Sequence, residues 1–349
     1  MTSGLSRRRV ASGNLDENEQ ETKNVALMKS KAQNRDEDHK IAFDPKDLEQ
    51  GAESEKQPKV TLMEEVLLLG LKDKQGYLSF WNDSISYSLR GCILIELAFR
   101  GKLRMQKDVN RKRFPLADRL VELVDDRLTG EVLLDEAIKM IHSSEPMSVT
   151  SWIDLMSGET WNVMKIGYQL RQVRERLAKG LVDKGILRTE KKNFLLFDMP
   201  THPVADTSIK EGLKRRVLSI LVDRVVELES TPAFPANLQF RYLRTIALVC
   251  SAYAANVLEN ALLVLDFERR DRALAQVDDL LSEFSQWPFL IHPSTVGANL
   301  GEAVGEELAP LSEDQMLSIE VVAAVLQFDA INGFDFPSNV DFSFALFIT

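Results

Sequence analysis

The chain has 349 residues, enough for one large domain or two small ones, and its 44% hydrophobic residues can form a substantial core. A net charge of -10 argues against general binding to nucleic acids, which depends on many lysine and arginine contacts with phosphates. The two cysteines are too few for a disulfide framework, and no apolar run reaches the roughly 20 residues of a transmembrane helix. We therefore expect a cytoplasmic protein that meets membranes only peripherally.

The first 59 residues are dominated by Ser, Asn, Gln, Asp, Glu and Lys and carry too little apolar surface to fold alone. We predict that residues 1–59 are a disordered N-terminal arm, residues 60–331 a helical domain and residues 332–349 a disordered C-terminal tail. The arm contains three consecutive arginines, Arg7, Arg8 and Arg9, which are either simply solvated or dock on an acidic partner.

Order begins at Thr61, where the sequence Thr-Leu-Met-Glu is typical of a capping box and Gly70 can end the helix. The next helix is predicted from Ser84 to Arg100. Trp81 lies in the loop that enters this helix, and Arg90 lies beside its apolar stripe. We therefore expect Arg90 to point outward, near Trp81.

Residues 101–130 are charged and irregular, and their LVELVD stretch fits an edge strand. Helices are predicted over 131–143 and 149–155, and another ends at Gly185 before a β-hairpin with a polar Thr-Glu-Lys-Lys turn. Three further helices are indicated, one capped by Ser208 and Glu211, one over 237–265 and one from Ser312 to about Phe328. The second of these is apolar nearly all round and is predicted to be the central core helix, whereas 287–310 reads as an exposed loop.

No motif for an enzyme is present. The sequence has no P-loop, dinucleotide fingerprint, HExxH, G-x-S-x-G or cysteine pair at metal-ligand spacing, and its four histidines are scattered singly. We therefore predict a protein that is not an enzyme and uses no cofactor or metal.

Charge reverses locally between Trp161 and Lys192, where nine Lys or Arg residues face three acids. Arg171 and Arg174 are three residues apart, which would place them on one helix face, and two guanidinium forks suit a phosphate better than lysines do. The alternative is a solvated face on which the arginines pair with Glu175.

The hairpin adds four consecutive apolar residues, Phe194 to Phe197, so that at least one of its faces must pack on the body, on another subunit or on lipid. Two functional interpretations fit. One is a winged helix whose basic helix meets DNA phosphates. The other is a phosphoinositide reader in which arginines hold the head group and Trp81 and the hairpin lie in the membrane interface. A purely structural scaffold is a third possibility, and the net charge disfavours the first.

Four stretches carry a resemblance to a known family: TLMEEVLLLGLKDKQGYLSFWND, LRGCILIELAFRGKL, SGETWN and QLRQVRERLAKGLVDKGILRTEKKNFLLFDMPTHP. They resemble the Golgi phosphoprotein 3 family closely from Thr61 to Leu228 and loosely beyond. The segment 284–310 is longer than the family pattern, and the tail 332–349 is rich in Phe without helical period, so no function is assigned to either.

The resemblance implies an all-α, mainly helical single domain, with a central helical bundle, surrounding amphipathic helices and a projecting β-hairpin. It implies a peripheral adaptor on the cytosolic face of trans-Golgi membranes that binds phosphatidylinositol 4-phosphate and the cytosolic tails of glycosyltransferases, retaining them through coatomer vesicles. No nucleic acid is expected as a partner.

By similarity, the residues that hold the lipid head group are Trp81, Arg90, Arg171 and Arg174. Coatomer binding is carried over to Arg7, Arg8 and Arg9. Membrane insertion and self-association into a homo-oligomer are carried over to the hairpin residues Thr189, Glu190, Lys191, Lys192, Asn193, Phe194, Leu195, Leu196 and Phe197.

Overall fold

The computed structural model describes residues 57–78, 84–159, 162–193, 198–290 and 296–333. The predictions for the arm with Arg7, Arg8 and Arg9, and for the tail, therefore lie almost entirely outside the described residues. The mainly helical fold with a small hairpin is confirmed. The described helices are α1 (Leu62–Gly70), α2 (Ser84–Phe99), α3 (Val132–His142), α4 (Val149–Ser157), α5 (Val173–Asp183), α6 (Thr207–Val222), α7 (Arg241–Ala254), α8 (Glu259–Leu262), α9 (Phe267–Phe284), α10 (Leu300–Leu308) and α11 (Glu313–Gly333).

The centre of the domain is the crossing of α2 and α11, around which α1, α4, α7 and α9 pack. Of the 16 residues of α2, 13 are buried. The two helices approach closely because Gly91 has no side chain, and a Cβ there would lie 2.8 Å from Cγ1 of Val325. The single helix predicted over 237–265 is wrong, because the chain turns at Asn256 (φ 54°) and forms α7 and α8 instead. The central position predicted for it belongs to the crossing of α2 and α11.

The capping box at the start of α1 is confirmed, since the Glu64 carboxylate accepts hydrogen bonds from the Thr61 amide (2.8 Å) and hydroxyl (2.9 Å). The Lys184 ammonium, just after α5, lies 2.7 Å from the same carboxylate and so joins α5 to α1. Gly70 is not the predicted cap: it is still helical, and Leu71 follows in extended conformation. Helix α6 is capped by Asp206, which accepts a 2.9 Å hydrogen bond from the Ser208 amide, and not by Ser208 itself.

A small antiparallel sheet lies beside α11. Its strands, in spatial order, are β1 (Leu103–Met105), β2 (Leu120–Leu123) and β3 (Met147–Ser148). The strand predicted in LVELVD exists, but β2 is the middle strand, not an edge. Between β1 and β2, Arg111 begins one 3₁₀ turn and Arg119 directly follows a second, and they contact the buried carboxylate of Glu320 on α11 at 3.1 and 2.6 Å.

The hairpin after α5 consists of β4 (Glu190–Asn193) and β5 (Asp198–Thr201), with Asn193 paired to Asp198. The predicted polar turn is therefore misplaced, because Glu190, Lys191 and Lys192 form strand β4. Pairing is set by backbone hydrogen bonds, and solvated side chains do not prevent it. Residues Phe194 to Phe197, part of the predicted hairpin site, lie outside the described residues.

Two helices were not predicted from the sequence, α9 and α10. The helices over 132–142 and 149–157 and the capping pattern of α11 are confirmed, the latter by a 3.0 Å hydrogen bond from the Ser312 amide to Gln315. Within the described ranges, no helix is both long and apolar enough to cross a membrane.

Candidate arginine site at the start of α5

Arg90 extends from α2 into a protein pocket of backbone carbonyls and is only 6% exposed. Its Nε donates to the carbonyl of Met156 (3.2 Å) and its Nη2 to that of Leu170 (2.7 Å), while Nη1 donates to the carbonyl and hydroxyl of Ser86 (3.0 and 2.9 Å). A guanidinium has five N–H donors, so these four bonds leave one N–H, on Nη2. The prediction that Arg90 points outward is wrong, because α2 is enclosed on nearly every side.

Arg90 fastens the segment that leads into α5. Leu170 lies next to Arg171, and its amide donates a 3.0 Å hydrogen bond to the same Met156 carbonyl that accepts from Arg90. One buried side chain of α2 therefore fixes the backbone 80 residues later in the chain.

The prediction that Arg171 and Arg174 share a helix face is wrong, because α5 begins only at Val173. Gln172 adopts the left-handed conformation (φ 53°) and separates the turn that holds Arg171 from the helix that holds Arg174. Arg171 is exposed and Arg174 half-buried. Both therefore lie at the positive N-terminal end of α5, where the first amides of a helix have no acceptor within the helix and favour anions.

Arg90 of α2 and Arg174 of α5 lie close enough for their charges to interact. Burial, followed by the nearby charge of Arg174, lowers the pKa of Arg90 to about 10. The two positively charged guanidinium groups repel each other, and a bound anion would relieve the repulsion. Trp81, the fourth predicted residue, lies outside the described residues.

Sequence reasoning missed two side chains beside Arg90. Ser86, which accepts two of the Arg90 bonds, is four residues earlier on α2, so helical spacing could have identified it. Tyr87 lies close to Arg90, and burial, followed by its hydrogen bond to Glu159, raises the pKa of Tyr87 to about 12. Glu159 follows α4 by two residues, and no sequence spacing links it to Tyr87.

The positive excess of the segment 161–192 is smaller than its composition suggests. Lys184 contacts both Glu64 (2.7 Å) and Glu131 (2.8 Å), Arg176 contacts Glu136, and Arg188 lies 2.7 Å from Glu190. Three of these acids come from distant parts of the chain, so the pairing could not be read from local sequence. Local composition therefore overstates the positive charge that this segment can offer to an anion.

A cavity of about 590 Å³ lies elsewhere, between α1, α6 and the segment 227–234. Its wall contains the buried ion pair of Arg216 and Glu65 (2.5 Å). The lining has more acidic than basic residues. The five acids are Glu65, Asp206, Asp223, Glu227 and Glu229, and the three basic residues are Lys59, Arg215 and Arg216. An acidic lining repels phosphates, so this cavity is a poorer candidate for an anion than the arginine cluster. In the described part of the chain, no cluster of three or more His, Cys, Asp or Glu residues could hold a metal ion.

The fold defines a mainly helical protein, and the arginine cluster is its candidate anion site. Residues 62–313 match the Golgi phosphoprotein 3 (GPP34) family. The chain is 75% identical over 328 residues to vacuolar protein sorting-associated protein 74 of Schizosaccharomyces pombe, covering 94% of this chain and 97% of the relative. It is 58% identical over 292 residues to the protein of the same name from Eremothecium gossypii, covering 83% and 88%.

The chain therefore belongs to the Golgi phosphoprotein 3 family, which confirms the resemblance drawn from its residues. Membership implies a Golgi-associated function.

Proposed function

We propose that this protein is a peripheral adaptor on the cytosolic face of Golgi membranes, where it binds phosphatidylinositol 4-phosphate through Arg90, Arg171, Arg174 and Trp81. It carries no catalytic activity and needs no cofactor. It gathers the cytosolic tails of glycosyltransferases and links them to coatomer, which retains the enzymes in the Golgi by vesicle transport.

The observation that supports the lipid part most strongly is the bond from Arg90 to the Leu170 carbonyl, because it holds the turn of Arg171 and the first turn of α5 against α2. A monoester phosphate carries up to two negative charges and several acceptor oxygens. The Arg171 fork, the half-buried Arg174, the remaining Nη2 donor of Arg90 and the first amides of α5 match these oxygens in charge and in number of donors. The 4-phosphate would be bound there, and the rest of the head group would face solvent or Trp81.

The protein partners are supported by family membership and by the sorting role in the names of the two fungal relatives. We assign coatomer binding to Arg7, Arg8 and Arg9, and self-association to the hairpin from Thr189 to Phe197. Self-association would multiply weak single contacts with lipid into stable attachment, because neighbouring sites then bind at high effective concentration.

Vesicle flotation tests the lipid part. Vesicles with phosphatidylinositol 4-phosphate should carry the wild-type protein upward, and vesicles with phosphatidylinositol alone should not. Arg174→Gln should abolish flotation, whereas Lys179→Gln, which removes the same charge from an exposed position further along α5, should retain it.

Equal flotation of wild type and Arg174→Gln, or equal flotation on both kinds of vesicle, would contradict the proposal. Retention on duplex DNA with a steep dependence on salt would favour the winged-helix interpretation instead.

A further inference from the structure

A six-residue 3₁₀ helix, Val163–Tyr168, exposes apolar side chains next to the arginine site. Met164 is 88% exposed and Ile166 is 44% exposed, and Lys165 and Gly167 between and beside them are exposed as well. Single exposed apolar residues are common on protein surfaces. Two on one short turn, with a lysine between them, place apolar surface and a cation close together, a combination that suits a membrane interface.

Side-chain contacts fix both ends of this 3₁₀ helix. At its start, the Asn162 side chain accepts a 3.0 Å hydrogen bond from the Met164 amide. At its end, the ring of Tyr168 packs edge-on against the buried Trp152, with 6.0 Å between centroids, and the Tyr168 oxygen accepts a 3.1 Å hydrogen bond from Ser144. The exposed residues Met164 to Gly167, here called the tip, are therefore anchored to the domain at both ends.

The base of the tip is also the base of the arginine site. Two residues after Tyr168, Leu170 receives the Arg90 hydrogen bond, and Arg171 follows. Met164 is seven residues from Arg171, so the two α-carbons are at most about 25 Å apart. The tip and the arginines that would hold a head group are therefore presented by one short stretch of chain.

We propose that this tip, Met164 with Ile166, inserts into the acyl boundary of the membrane whose head group the arginines bind, while Lys165 contacts anionic lipid phosphates. The inference rests on the proposed lipid function and adds a second, apolar contact to it. The arginines select the lipid, and the tip supplies an affinity for bilayer that a soluble head group cannot provide.

The two native cysteines make a direct test possible. Cys92 and Cys250 are both fully buried, so a cysteine introduced by Met164→Cys can be labelled selectively with a polarity-sensitive fluorophore such as NBD. Phe267→Cys is the matched control, because Phe267 is 84% exposed and its helix α9 packs on α6, α7 and α11, away from the tip.

On vesicles with phosphatidylinositol 4-phosphate, the label at 164 should shift to the blue and brighten several-fold, and the label at 267 should not change. Flotation of the same samples reports binding independently. Bound protein with an unchanged label at 164 would overturn the insertion while leaving the lipid function intact. Unbound protein would overturn the lipid function and, with it, the insertion.

A substitution separates the tip from the head-group site. The double variant Met164→Glu with Ile166→Glu should bind phosphatidylinositol 4-phosphate vesicles at least about tenfold more weakly, since burying one such side chain accounts for a factor of that order. Its affinity for a soluble short-chain phosphatidylinositol 4-phosphate should match the wild type. Phe267→Glu should change neither affinity. Unchanged vesicle binding by the double variant would contradict the proposal.

Discussion

At the scale of single residues, the arginines of the candidate site have different tasks. Arg90 is buried and uses four hydrogen bonds on the protein itself, so it positions the start of α5. Arg171 is exposed and Arg174 half-buried, so both side chains reach the surface at the start of α5. Replacing one or the other should therefore have different consequences for folding.

Arg90→Gln is expected to lower the free energy of unfolding by about 3 kcal/mol, because it leaves the buried Leu170 carbonyl without its donor and removes one of the two donors to the Met156 carbonyl. Arg171→Gln should change it by no more than about 0.5 kcal/mol, since the side chain is solvated. Urea unfolding followed by circular dichroism measures both. Equal stability of the two variants would show that Arg90 has no positioning role.

A second buried residue, Asp329 on α11, gives the fold a dependence on pH. Burial raises the pKa of Asp329 to about 7, although Ser251 donates a 3.2 Å hydrogen bond to it. The thiols of Cys92 and Cys250 lie near it, and burial raises the pKa of each of them above its ordinary value, so they do not titrate at neutral pH.

The unfolded chain loses the Asp329 proton near pH 4, whereas the folded chain keeps it until about pH 7. Between these values the folded state binds more protons, so this residue makes stability fall as pH rises and exerts its full effect above about pH 7. The free energy of unfolding of Asp329→Asn, relative to wild type, should therefore increase as pH rises from 4.5 to 7.5, by on the order of 3 kcal/mol. Urea unfolding across this range measures the difference, with the exposed Asp271→Asn as control. A difference that does not change with pH would refute the assignment.

At the scale of elements, the α2–α11 crossing holds the centre of the domain, and Gly91 is the residue that permits it. Gly91→Ala should destabilise by about 1 to 3 kcal/mol, because the added methyl group would lie 2.8 Å from Val325, a stiff and fully buried side chain. Gly305→Ala on α10 is the matched control, since a Cβ there meets nothing within 4 Å. It should stabilise by about 0.5 to 1 kcal/mol through helix propensity. Melting temperatures distinguish the two, and a stabilising Gly91→Ala would contradict the close crossing.

Elements with local signals could be predicted, and elements set by tertiary contacts could not. The capping boxes at Thr61 and Ser312 depend on side chains three residues apart, and both are present. By contrast, β2 is central because β1 and β3 pair with it, and neither partner is visible in its own sequence. The hairpin register likewise depends on backbone pairing across Asn193 and Asp198, which overrides the polar composition of β4.

The candidate site shows the same division. Helical spacing placed Arg174 on the helix that is now α5 and Arg90 on α2, but it could not reveal that Arg90 turns inward or that the helix begins only after Gln172. The inward orientation of Arg90 comes from contacts with Met156 and Leu170, which are distant from it in sequence. Family resemblance, not residue pattern, connected the two segments in advance.

At the scale of the whole molecule, an acidic chain is proposed to bind an acidic membrane. The net charge of -10 opposes approach to anionic lipid, and three of the nine basic residues in the segment 161–192 pair with acids. Attachment must therefore come from a local site that recognises one phosphate, supported by apolar contact. A protein of this kind should discriminate by head group more strongly than by the overall charge of the vesicle.

Calorimetric titration with soluble short-chain phosphatidylinositol 4-phosphate tests this claim most directly, because it removes the membrane, the hairpin and the apolar tip from the measurement. The wild-type protein should bind this ligand and not short-chain phosphatidylinositol without the 4-phosphate. The double variant Arg171→Gln with Arg174→Gln should bind neither while keeping its melting temperature, and Lys179→Gln should bind like the wild type. Undiminished binding by the folded double variant would contradict the account.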